Sequence, residues 1–262
     1  MKNLLSAVVL VGLCSVCANA QVKNPLGKLG SAAVKGVKSF TVSDAEVIGY
    51  ANDYMKWMDA NNPVCKTSAK DKGMQTVADR LGQITSAIPA DLTKELNLNV
   101  LSYYVVDVNA FACANGDIRI FAALMDLMTD DEILAVIGHE IGHIANKDSK
   151  DGFVTALRIS ALRDATGALG GKTAAKLTNS QLGDLAEALG HAQYSQRQEI
   201  DADAYGYEFL KKCGKDPVNM ASSLGVLLKL QEEAGSSQNS KFKNLFSSHP
   251  DLKKRIETLN TK

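Results

Sequence analysis

Five consecutive residues, His139-Glu140-Ile141-Gly142-His143, hold the most concentrated chemistry in the chain. On a helix, residues four apart share a face, so both imidazoles can meet one metal ion. Glu140 then stands beside the metal rather than on it. From there it can take a proton from an activated water and return it to a leaving amine. Zinc would activate that water by lowering its pKa, and would polarise a scissile carbonyl. The chain has only 4 histidines, so this spacing around a glutamate is a specific signal. Incidental surface histidines fit badly, because Ile133, Leu134, Val136, Ile137, Ile141 and Ile144 surround the motif.

A catalytic zinc takes three protein ligands and keeps a fourth position open. Candidates for the third ligand are His191, Glu199, Asp201, Asp203 and His249. Glu199 and Asp203 are again four apart. One carboxylate could bind the metal while the other holds the ring N–H of a ligand histidine. Spacing alone does not choose Glu199 over His191, which lies two turns earlier on the same predicted helix.

The elements that must position these groups are legible in outline. Ser43 with Glu46 reads as a capping box opening a helix over 44–60, which Asn61-Asn62-Pro63 ends. A second helix is predicted over 68–87, closed by Pro89. Residues 100–108, rich in Val and Tyr, predict a strand. Asn115-Gly116 is a tight-turn signal that makes a hairpin of the flanking apolar segments. Thr129 or Asp130 caps the motif helix, which runs to about Ala145 with acidic residues in its first turn. The Ala-, Gly- and Leu-rich stretch 152–176 carries a break at Gly170-Gly171. One long helix is expected over 179–212, then helices near 217–233 and 250–260, with a Gly/Ser/Asn-rich loop over 234–243. The class is α+β, mainly α-helical. Trp57, Tyr103 and Tyr104 read as core or cleft wall. Gly167 to Thr173 (GALGGKT) looks like a phosphate-binding loop, but its spacing is one residue short and no strand precedes it. Nucleotide binding is therefore not expected.

Composition sets the wider bounds. The chain has 262 residues, 45% of them hydrophobic, enough for one substantial core. Lys+Arg number 29 and Asp+Glu 29, so no basic field points to nucleic acid. Lys2, the apolar run Leu4–Val16 and Ala18-Asn19-Ala20 read as a secretory signal peptide over 1–20, cleaved before Gln21. Neither Cys14 nor Cys17 follows a Leu-small-small triplet, which favours a soluble periplasmic product over a lipid-anchored one. Residues 21–40 read as a flexible leader, and 41–262 as the folded domain. Cys65, Cys113 and Cys213 remain after cleavage, and in an oxidising compartment Cys65–Cys113 is the favoured pair.

The segments Asp107-Val-Asn-Ala-Phe-Ala, Gly116-Asp-Ile-Arg-Ile, His139-Glu-Ile-Gly-His143, Tyr194-Ser-Gln-Arg-Gln-Glu199-Ile-Asp-Ala-Asp203 and Ser248-His249-Pro250 occur in that order. Together they resemble the HtpX-like, CAAX-prenyl-protease-type zinc peptidases, over about residues 41–260. The similarity is strongest to small periplasmic members without transmembrane helices. The resemblance implies a zincin-like fold, with a small antiparallel sheet or hairpin beside the motif helix. It implies that His139, His143 and Glu199 bind one Zn2+, that Glu140 is the general base and that Asp203 supports the metal site. It places His249 near the zinc, either stabilising the transition state or restraining access to the metal. It puts the Asn109–Phe111 strand at the cleft edge, pairing with substrate backbone. It also assigns Arg197 and Arg255 to ion pairs that hold the C-terminal segment near the site.

Some relatives carry a further histidine shortly after the motif helix. Here that region reads Asn146-Lys147-Asp148, and no ligand role carries over. The expected substrates are polypeptides, unfolded or misassembled proteins of the cell envelope, and peripheral association with the outer membrane or envelope assembly proteins stays open. Two other functions would use the same residues: a chaperone-like module shut off by His249, and an inactive structural zinc domain. Neither requires Glu140, which favours the peptidase.

Overall fold

The computed structural model describes residues 42–163, 177–234, 245 and 248–262. The expected signal peptide, leader, Gly167–Thr173 segment and Gly170-Gly171 break lie outside them, as does nearly all of the 234–243 loop. In chain order the elements are α1 (Asp44–Asn61), α2 (Lys72–Thr85), α3 (Ala90–Glu95), β1 (Asn99–Tyr103), β2 (Ala110–Ala112), β3 (Asp117–Phe121) and α4 (Ala122–Met125). There follow α5 (Asp130–Ala145), α6 (Asp148–Arg163), α7 (Asn179–Gly190), α8 (Gln196–Lys212), α9 (Val218–Ala234) and α10 (Leu252–Leu259). Among the described residues no helix is long and apolar enough to cross a membrane.

Helix starts follow the capping chemistry. Ser43 and Glu46 form the expected capping box on α1, and Thr129 with Glu132 forms another on α5. Reciprocal bonds of this kind satisfy N–H groups that a helix's first turn leaves unpaired, typically worth about 1 kcal/mol. Asp71 caps α2, which therefore begins at Lys72, later than expected.

The largest departure concerns the single long helix expected over 179–212. The chain instead ends α7 at Gly190, with His191 as its C-cap, and restarts at a capping box of Ser195 and Gln198. The Ser195-x-x-Gln198 signature was present in the sequence but lay inside an otherwise helical pattern.

The sheet is mixed rather than antiparallel. β2 and β3 form the expected hairpin around Gly116 (φ 93°), a backbone conformation that glycine adopts without cost. β1, however, pairs with β3 in parallel, giving the order β1-β3-β2 with β2 at an edge. Ile118 and Ile120 are fully buried in the main core, while Arg119 between them is directed to the other face. There its guanidinium binds both Asp59 carboxylate oxygens, at 3.0 and 2.9 Å, and Asp117 at 3.0 Å. The buried Arg119 thus fastens α1 to the sheet.

Among the described residues two apolar clusters form the interior. One gathers α2, the sheet, α5, α8, α9 and α10, and the other gathers α1, α6 and α7. Helix α5 is buried almost all round, from Glu132 to His143, which marks a core helix rather than a surface one. Its closest partner is α8, and small residues set their separation. A Cβ on Gly142 would stand 3.0 Å from the Ala202 backbone, and one on Gly138 would stand 2.5 Å from the Phe209 ring. Their absence lets the two backbones approach closely, which brings side chains of α5 and α8 together.

The favoured Cys65–Cys113 bridge is not formed: both are free, buried thiols. Cys113 packs in the α1–α6–α7 cluster, whereas the Cys65 backbone pairs with Ser102 beside β1. Burial pushes the Cys113 thiol up to about 12, so it is a poor thiolate nucleophile for exchange.

Candidate active site

His139 and His143 project from the same face of α5, and Glu199 and Asp203 from the first turns of α8. All four are essentially buried. The two imidazoles meet through their Nε2 atoms at 3.1 Å. Glu199 lies beside both, with Oε1 3.3 Å from His143 Nε2 and Oε2 3.7 Å from His139 Nε2. His249, just before α10, brings Nδ1 to 3.0 Å from Glu199 Oε1 and 3.4 Å from His139 Nε2. Donor atoms of His139, His143, Glu199 and His249 all lie within 4.8 Å of one another.

Each ring's far nitrogen is held by a carboxylate. His139 Nδ1 meets Asp203 Oδ1 at 2.8 Å, and His143 Nδ1 meets Asp148 Oδ2 at 3.0 Å. Such bonds fix the tautomer with the proton on Nδ1. With Nδ1 protonated on each ring, the two Nε2 atoms face one another and Glu199, so one positive charge placed there, a proton or a metal ion, satisfies both. The pocket's demand for positive charge is visible in His143. Burial pushes its pKa down, but hydrogen bonds to Asp148 and Glu199, with the nearby Glu140 charge, outweigh this and bring it up to about 9. His139 moves the other way, because burial dominates its bond to Asp203. Burial alone would raise the Glu199 carboxyl, but the surrounding histidines hold it well below the usual carboxylate range. A buried nitrogen–nitrogen–carboxylate set of this kind fits a metal such as zinc.

Glu140 is buried, and its Oε2 has no hydrogen-bond partner among the described residues. Its Oε1 lies 3.8 Å from His249 Nε2. Glu140, His139 and His249 line one cavity with Ala110 of β2, and Leu124, Val136 and Leu224 supply an apolar wall. The edge strand expected near Asn109–Phe111 is therefore at this cavity, formed by Ala110–Ala112.

Beneath the donor cluster, the buried Arg255 of α10 reaches Asp203 through Nε and Nη2, both at 2.7 Å, and faces Glu199 Oε2 with Nη1. Burial would lower its pKa, but the carboxylates raise it, and it stays charged. Of the two arginines expected to hold the C-terminal segment, Arg255 does so. Arg197 is solvent-exposed, and among the described residues it pairs with Asp201, at 3.6 Å on its own helix. Asp201 is exposed, and so is His191 at the end of α7, so neither joins the donor cluster.

Two participants were missed in the sequence. Tyr194 stacks on His143 with ring centroids 3.8 Å apart. Asp148, the first residue of α6, reaches His143 through a tight turn with Lys147 at φ 66°. The signal for Asp148 was a carboxylate five residues after the second histidine of the motif. Only a further ligand was sought there, not a carboxylate behind one.

Residues 72–262 match Peptidase family M48. Metalloprotease LoiP of Escherichia coli K12 is 36% identical over 251 residues, covering 95% of this chain and 93% of that protein. Metalloprotease YcaL of the same organism is 35% identical over 261 residues, covering 98% and 96%. A Protease HtpX homolog of Fusobacterium nucleatum is 29% identical over 187 residues, 58% of this chain and 59% of its own. With its paired histidines, glutamates and supporting carboxylates gathered on α5 and α8, the chain belongs to Peptidase family M48 and is a metalloendopeptidase.

Proposed function

We propose that the protein is a zinc-dependent endopeptidase of the bacterial cell envelope, acting on unfolded or misassembled envelope proteins. The observation that carries the chemistry is the convergence of the His139 and His143 Nε2 atoms with Glu199, beside a carboxylate oxygen of Glu140 that has no hydrogen-bond partner among the described residues. His139, His143 and Glu199 would hold one zinc per chain. Zinc bound there would supply Lewis acidity, lowering the pKa of a water and polarising the scissile carbonyl. Glu140 accepts the proton of the attacking water and delivers it to the departing amine. Asp203 and Asp148 keep the two rings in the tautomer that presents Nε2. β2, at the sheet edge along the cavity, offers backbone groups to an extended substrate by strand addition. That mode reads main chain, so it suits polypeptides already unfolded, and the apolar wall gives some preference for apolar side chains. The envelope location rests on the signal-peptide pattern of residues 1–20.

The decisive measurement is metal content together with hydrolysis of casein. One zinc per chain is expected, with activity lost on chelation and restored by zinc. Metal-free protein that cleaves casein at the full rate would overturn the zinc reading. Equal cleavage rates for folded and unfolded forms of one polypeptide would overturn the substrate class.

The donor atoms of His249 stand in the same cluster as those of His139, His143 and Glu199, so His249 would compete for the position that a catalytic metal keeps open. Of the two roles the resemblance left open, this placement favours restraint. His249→Ala should keep its metal and cleave casein about tenfold faster, equivalent to removing about 1.4 kcal/mol of competition. A slower variant with metal retained would instead assign His249 to the transition state.

A further inference from the structure

One half-buried side chain outside the donor cluster is held at both ends. Gln198 Oε1 accepts from the Ser195 backbone N–H at 2.9 Å and from the Ser195 hydroxyl at 2.8 Å, closing the capping box of α8. Its Nε2 donates to Asp148 Oδ1 at 2.9 Å, and the other oxygen of Asp148 receives His143 Nδ1. Because two donors face Oε1 and a carboxylate faces Nε2, the orientation of the carboxamide is fixed by its partners.

We propose that Gln198 is a positioning residue for the metal site, acting through Asp148 to hold His143 with Nε2 toward the ion. The proposal rests on the zinc site described above. Capping alone does not ask for glutamine, since α1 and α5 close the same box with Glu46 and Glu132. At position 198 a glutamate would satisfy Ser195 equally well, but would set a second carboxylate against Asp148. Glutamine at this cap position is not itself the signal, because Gln181 caps α7 in the same way. The signal is the contact from Nε2 to Asp148.

The consequence is a shared register for three elements. Asp148 opens α6 after the Lys147 turn, His143 ends the motif on α5, and Gln198 immediately precedes Glu199 on α8. Tyr194, one residue before the cap, stacks on the same imidazole. The 194–199 stretch therefore fixes the plane of His143 by stacking, its tautomer through Asp148, and the placement of Glu199 by capping α8.

The test is zinc affinity, measured by chelator competition, alongside the melting temperature of metal-free protein. Gln198→Glu should melt within a degree or two of the parent without metal, yet bind zinc about tenfold to a hundredfold more weakly, as loss of a ligand's supporting partner typically does. The double variant Gln198→Glu with Asp148→Asn reverses the hydrogen bond. The carboxamide introduced by Asp148→Asn would donate to the new carboxylate and still accept from His143 Nδ1, so most of the affinity should return. Parent-like affinity in Gln198→Glu, or no recovery in the double variant, would overturn the proposal. A metal-free Gln198→Glu that melts well below the parent would also count against it, because the side chain would then serve only to stabilise α8. His143→Ala separates the two levels of inference. If it binds zinc like the parent, the zinc site itself is wrong. If it loses zinc while Gln198→Glu does not, only the role of Gln198 falls.

Discussion

Glu140→Gln should lower kcat/KM for casein by about 10²–10⁴ while leaving zinc content and melting temperature close to the parent's. The expectation follows from the division of labour in the cavity. Glu140 is 2% exposed, its Oε2 has no hydrogen-bond partner among the described residues, and His139, His143 and Glu199 are the groups proposed above to hold the metal. A carboxamide has the size and shape of the carboxylate, so packing against His249 and the ligand rings survives. It cannot take up a proton at neutral pH, so both proton transfers fail together. The same variant separates catalysis from binding. A chaperone-like module would hold unfolded polypeptide equally well with a carboxamide at this position, and a structural metal site would be indifferent to it. Parent-like hydrolysis by a zinc-loaded Glu140→Gln protein would sink the assignment of the base.

What the sequence made legible divides by the range of the interaction. His139, Glu140 and His143 are fixed relative to one another by helix geometry within one turn, so their spacing carried the inference without tertiary information. Ser43 with Glu46, Thr129 with Glu132 and the Asn115-Gly116 turn are equally local, and the corresponding elements formed. The carboxylate of the donor cluster is not local. His191, Glu199, Asp201, Asp203 and His249 were all admissible from spacing alone, because the choice depends on where α8 crosses α5, at Gly138 and Gly142. Resemblance had to stand in for that crossing. The parallel pairing of β1 with β3 was illegible for the same reason, since the hairpin signal binds only chain neighbours. Asp148 and Gln198 were hidden differently. Each forms ordinary local structure, a helix start and a cap, and only their meeting across two helices gives them a bearing on His143. The over-long helix shows the opposite error, where apolar periodicity ran through a break that Ser195 and Gln198 had already marked.

Arg255→Met should destabilise the metal-free protein by about 3–5 kcal/mol, the usual result of removing one partner from a buried ionic network. Methionine fills similar volume, so the loss is electrostatic rather than a cavity. Arg255 is 1% exposed and bridges Asp203 and Glu199, which are 2% and 0% exposed. Without it both carboxylates stay buried, Asp203 keeping His139 and Glu199 keeping the histidines among the described residues. Bound zinc would offset the Glu199 charge, so the deficit should be smaller in the loaded protein. The dependence on pH has a definite sign. In the parent, burial would raise the Asp203 carboxyl, but Arg255 and His139 hold it below its ordinary 3.8. Its stabilising contribution is therefore present above that value and is lost as pH falls through the lower folded value. In the variant the Arg255 part of that depression is lost, and the carboxylates take up protons at higher pH than in the parent. The gap in denaturation free energy should be widest at neutral pH and narrow on acidification. Arg255→Lys should fall between, because an ammonium restores charge but cannot span both carboxylates with a rigid fork. Denaturant melts of the metal-free proteins at neutral and mildly acidic pH decide the matter. Parent-like stability of Arg255→Met at neutral pH would mean that packing of α10, not this charge bridge, holds the C-terminal segment beneath the site.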